Sequence, residues 1–153
     1  MTDGNIELYL KGHKIAVNAL DFSSDVPLLF DKICQQKSIP VLHPYNLGWE
    51  SLVNVIMPEG LSLESISKKT EKFNEIKMVE YVSGYLKFWG TPKIWIDKIL
   101  QRYKNEKENL PPPQLSIGSW LVAGVCTYLL YNLATGKKVK KFPEFYLSSI
   151  MDN

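Results

Sequence analysis

Between Ile15 and Leu42 the sequence reads strand, helix, strand, and this run restricts the available topologies more than any other feature. Ile15 to Leu20 (IAVNAL) is a short, mostly apolar run that stops at a polar loop beginning with Asp21, as a buried parallel strand does. Asp25 to Gln36 has Ser24 or Asp25 as a candidate N-cap and Pro27 in its first turn. Leu28, Leu29, Ile33 and Cys34 supply its apolar face, so the segment predicts a helix. Ile39 to Leu42 (IPVL) is a second strand. Two strands joined by a helix within about thirty residues form a crossover unit, which is right-handed almost without exception.

The chain downstream adds antiparallel strands and helices. His43 to Trp49 (HPYNLGW) is expected to be a loop turned at Gly48, and Ser51 to Met57 a third strand stopped by Pro58 and Gly60. So short a link favours antiparallel pairing. Ser62 to Thr70 is polar. Glu75 to Trp89 repeats apolar residues at helical spacing and closes at Gly90, and Thr91-Pro92 opens a further helix through Tyr103. Leu110 to Pro113 is a stiff linker into a long apolar helix from Leu115 to Ala134, ended by Gly136 as a C′ glycine. A last strand is expected near Glu144 to Leu147. The expected fold is α/β, a partial Rossmann-like mixed sheet packed with several helices. It forms one domain over 1–153: a crossover and crossing strand at 1–61, a helical insertion at 62–109, and the apolar helix with a terminal strand at 110–153.

Composition excludes several classes. An apolar fraction of 45% and a charged fraction of 22% are ordinary for a globular chain, and 153 residues are enough for one core. A net charge of +2 gives no long-range field that would recruit nucleic acid or an anionic membrane. Cys34 and Cys126 stand far apart with no CxxC spacing, which indicates neither a metal site nor a disulfide framework and fits a reducing, cytoplasmic location. The first residues, MTDGNIELYLKGHK, contain no apolar signal core. Ile117 to Ala134 just reaches spanning length, yet a soluble helix buried on most sides reads the same way, and burial in the core is the expectation.

The segments GHKIAVNALDF, KSIPVLHPYNLGW, SLVNVIMPEGLSLE and PQLSIGSWLVAGVCTYLLYNLATGKKV, in that order, together resemble the carboxyl-terminal half of the ThiF/MoeB/HesA adenylyltransferases, whose fold is related to that of the ubiquitin-activating enzymes. The resemblance implies activation of a carboxylate or related acceptor with ATP and Mg2+. It also implies that the amino-terminal nucleotide-binding half is missing, because no three glycines have the G-x-G-x-x-G spacing. A truncated chain of this kind is expected to be inactive alone.

By the same resemblance Asp21 matches the family's acidic residue that holds magnesium and the ATP phosphates; the alternative is that it caps a turn. His43, Tyr45 and Asn46 are placed to line the same crevice, or else to satisfy the turn around Pro44 and Gly48. Lys14 and Asn18 depart from the acids that relatives often carry, and the Arg common beyond the acidic motif is missing from SSDVPLLF. Both cysteines read as inert buried thiols. Trp89, Trp95, Trp120, Tyr81, Tyr85 and Tyr128 read as core or interface aromatics, and Lys137, Lys138, Lys140 and Lys141 as a solvated face. Expected partners are a second copy or larger assembly, a separate amino-terminal half or a ubiquitin-like carrier, with neither nucleic acid nor membrane. The rival reading is a non-catalytic interaction or scaffolding module.

Overall fold

The computed structural model describes residues 4–67, 72–105 and 114–150. The linker expected at Leu110 to Pro113 lies outside them, as does the end of the 62–70 stretch. Helix α1 (Ile6–Leu10) is followed by strand β1 (Ala16–Val17), helix α2 (Val26–Gln36), and strands β2 (Val41–Asn46) and β3 (Glu50–Ile56). A 3₁₀ turn at Leu63–Ile66 leads to helices α3 (Glu75–Phe88), α4 (Ile94–Asn105) and α5 (Ser116–Ala134), and strand β4 (Tyr146–Ser149) ends the described chain. The sheet is mixed, in the order β1-β2-β3-β4, with β1 parallel to β2 and the other neighbours antiparallel.

Helices cover both faces of the sheet. Val41, Tyr45, Leu52 and Ile56 face a core with Phe30 and Cys34 of α2, Met78 and Val82 of α3, and Ile6 and Leu10 of α1. Leu42, Val53 and Val55 point the other way, onto Cys126 and Leu129 of α5. Each fully buried aliphatic side chain contributes about 1.5–3 kcal/mol relative to exposure. The two cores therefore fix the register, since a one-residue slip of β2 would exchange the faces.

Helix ends follow the local chemistry. Asn74 Oδ1 caps α3 by accepting from the Lys77 N–H at 3.0 Å. At the far end of α5 the Lys137 N–H reaches the Asn132 carbonyl at 2.8 Å and the Gly136 N–H reaches Leu133 at 3.3 Å. This paired closure requires a left-handed residue, and Gly136 supplies it at φ 68°.

Three expectations about these elements are corrected. Strand β1 is only two residues long, because Asn18 Oδ1 accepts from the Leu20 N–H at 3.3 Å and turns the chain out of the sheet. Strand β2 does not stop at Leu42 but continues through His43, Pro44, Tyr45 and Asn46, each paired to β3. Pro44 is tolerated because Leu42 O accepts from Asn18 N–H on the β1 side. Two residues on, the nitrogen of Pro44 faces that same side beyond the end of β1, where no donor is needed. Finally, α5 is not buried on most sides: 22% of its most apolar stretch is buried. It lies on the sheet by one face only.

Candidate functional site

Three polar side chains meet inside the crossover unit. His43 Nε2 stands 2.7 and 2.6 Å from Asp31 Oδ1 and Oδ2, and Asn18 Nδ2 donates to Asp31 Oδ1 at 2.9 Å and to the Pro27 carbonyl at 2.9 Å. Asn18 Oδ1 accepts from the Leu20 N–H at 3.3 Å. All three side chains are buried. Phe22 closes the cluster, its ring stacked at 5.9 Å on His43 and 6.4 Å on Tyr45, with Phe73 edge-on at 4.8 Å. The Phe22 N–H in turn donates to Glu75 Oε1 at 3.1 Å, in the first turn of α3. One network thus ties β1, α2, β2 and α3 together.

Chemically this arrangement is a brace. A His–Asp pair orients a base when a nucleophile or substrate can reach the free side of the ring. Here the pair is buried under Phe22 and Phe73, and the nearest thiol is inert. Burial first, and the charge of Asp31 second, push Cys34 up to about 12. Among the described residues the buried Tyr45 hydroxyl has no hydrogen-bond partner, nor does Asn54 Oδ1. Burial, then the charges of Asp31 and Glu75, push the Tyr45 phenol up, so it remains protonated. An unsatisfied buried hydroxyl costs about 1–3 kcal/mol. Tyr45→Phe is therefore expected to keep or raise stability by about 1 kcal/mol, read as the urea midpoint; a loss above that size would show that the hydroxyl has a partner.

The structure separates the residues that the sequence grouped. Asp21 is exposed in the loop after β1 and belongs to no group of three potential metal ligands among the described residues. His43 and Tyr45 face the α2/α3 core. Asn46, one residue further along β2, belongs to the opposite side. Its Nδ2 donates to the Leu115 carbonyl and to Ser119 Oγ, both at 2.9 Å, while Oδ1 accepts from the Gly48 N–H at 2.9 Å. Asn46 pins the start of α5 to the β2–β3 turn. Asp31 and Asn18 escaped the sequence reading as site residues. The signal was present, because Pro27, Asp31 and Cys34 fall on one buried helical face.

The outer face of α5 leaves an apolar surface open. Trp120 is 80% exposed, Tyr128 59% and Tyr131 57%, with Ile117, Ala123 and Gly124 along the same side. No charged residue occurs between Ser116 and Ala134. Lys137, Lys138, Lys140 and Lys141 follow at once, all exposed.

No protein-family model matches the chain, and no curated protein matches it. Among solved structures it is similar to the crystal structure of PaaA, at 16% identity and a TM-score of 0.49, covering 99% of this chain and 43% of PaaA. The chain thus spans under half the length of PaaA, and at this level the likeness carries no functional argument. The assignment to the ThiF/MoeB/HesA adenylyltransferases is corrected: no family model of that kind matches the chain, and the solved structure it is similar to is PaaA. With it fall the ubiquitin-activating-like, nucleotide-binding reading and the expectation of ATP and Mg2+. The resemblance lay in the order of short apolar strands, helices and glycine turns, which any mixed α/β chain uses.

Proposed function

We propose that this chain is an assembly module, in which two copies pair through the outer faces of α5. The observation that supports this reading is the apolar outer face carrying Trp120 and Tyr128 on a helix with no charged residue, Lys137 Nζ covering Tyr131 only at its far end. Contiguous exposed apolar surface of this kind marks an interaction site. A helix face without charged residues is self-compatible, since across a two-fold axis residue i meets residue j and j meets i, and no such pair brings like charges together. Ala123 and Gly124, between the aromatic positions, let two helices approach closely.

A bilayer is the less fitting occupant. Moving α5 into lipid would strip Leu42, Val53 and Val55 of their cover and break the Asn46 clamp. The β1–α2–β2 unit, read as a Rossmann-like crossover, then serves as scaffold and braces the sheet on which α5 rests. A cytoplasmic location belongs to the same proposal.

At 19 residues α5 is about 28 Å long. Such a helix offers less than the roughly 800 Å2 per partner of a standard interface, so micromolar pairing is expected. Ala123→Glu places a charge on the seam and is expected to weaken pairing at least about 100-fold, because an unpaired carboxylate would have to be desolvated. Circular dichroism should be unchanged, as Ala123 is exposed. Pairing as tight in Ala123→Glu as in the unaltered chain would place the contact elsewhere.

A further inference from the structure

Beside the C-terminal end of α5 lies a cavity of about 460 Å3 that the assembly reading leaves unused. Met57, Leu133 and Val139 give it an aliphatic lining, and Lys137, Lys138 and Lys141 stand around it. The three aliphatic residues are half-buried and the three lysines exposed. No carboxylate pairs with Lys138 or Lys141 among the described residues.

We propose that this cavity is a docking site for an acidic peptide segment of a partner protein, one that inserts an aliphatic side chain between the lysines. Three observations select that occupant. The lysines ask for negative charge, and their concentration in five positions gives a local field that the net charge of +2 conceals. The aliphatic lining asks for an apolar anchor, and a volume of this order holds one large side chain with its neighbours. The concave shape disfavours a bilayer, which meets a protein best at protruding apolar residues.

Nucleic acid fits less well for a separate reason. Stacking platforms need free aromatic faces beside the positive charge. The two rings at hand are already taken, Tyr131 by Lys137 Nζ at 4.7 Å and Tyr146 by Lys140 Nζ at 5.6 Å. The Tyr146 hydroxyl also accepts from the Lys140 N–H at 2.7 Å, which holds the segment after α5 against β4. The lysine-bearing strap is thereby fixed in place before any partner arrives.

The test uses a fluorescein-labelled synthetic peptide of glutamates with one central leucine, titrated with the full chain and read by fluorescence anisotropy. Saturable binding that weakens with added salt is expected. Replacing the leucine by serine should weaken it about tenfold, the effect of one lost aliphatic burial. The double variant Lys138→Glu/Lys141→Glu should weaken it by more than about tenfold, while sedimentation shows self-association unchanged. Equal binding of the leucine and serine peptides, or of the parent and the double variant, would overturn the proposal. So would tighter binding to anionic phosphatidylserine vesicles or to a single-stranded oligonucleotide than to the peptide. Loss of self-association in the double variant would also overturn it, by assigning the lysines to the contact between copies.

Discussion

Replacing Asp31 by alanine is expected to cost about 2–6 kcal/mol of folding stability, since two buried polar side chains lose their hydrogen-bond partner at about 1–3 kcal/mol each. Asp31 accepts from both His43 and Asn18, and all three side chains are buried. For a domain of this size that is a large share of the whole, since net stabilities lie near 5–15 kcal/mol. Denaturant titration followed by circular dichroism measures it. Asp31→Asn should cost less, because the amide oxygen still accepts. If Asp31→Ala shifted the midpoint by less than Asp31→Asn, the cluster would not be the brace described here.

The second large effect is expected at Gly118, in the first turns of α5. A Cβ built there would meet Asn46 Oδ1 and the Gly48 carbonyl oxygen. The Gly48 carbonyl is backbone in a tight turn and cannot swing aside, and displacing Asn46 breaks its bonds to Leu115 and Ser119. Gly118→Ala is therefore expected to destabilise by about 1–3 kcal/mol, as overpacking does, and to loosen α5 from the sheet. Gly84→Ala, in α3, is the control, since nothing lies within 4 Å of its added Cβ and alanine favours the helix. Hydrogen exchange of α5 amides should rise in the first variant and stay unchanged in the second. Equal protection in both would show that the close approach at Asn46 does not hold the helix.

Much of the architecture could be read from local chemistry. The crossover from Ile15 to Leu42, the antiparallel third strand and the helix closures at Gly90 and Gly136 each depend on residues within a turn of one another, and they appear close to where the sequence places them. What failed depends on distant partners. Pro44 and Gly48 make HPYNLGW read as a loop, and only the early end of β1 explains why a proline can occupy β2 there. Helix α5 is apolar all round, so its periodicity says nothing of which side is covered; the sheet behind Cys126 and Leu129 decides that. Strand alternation sends Asn46 to the face opposite His43 and Tyr45, which the sequence placed together. Asp31 was hidden for the opposite reason: a carboxylate on an apolar helix face is legible as a buried partner only once His43 and Asn18 stand beside it.

Sedimentation equilibrium of the unaltered chain, over about 1 to 100 μM, tests directly whether the outer face of α5 is a contact between copies, since pairing through one helix face should show in this range. A reversible rise from the 17.5 kDa monomer towards twice that mass, abolished by Ala123→Glu, is the result expected. A folded chain that stays at 17.5 kDa throughout, with Trp120 and Tyr128 open to solvent, would contradict it.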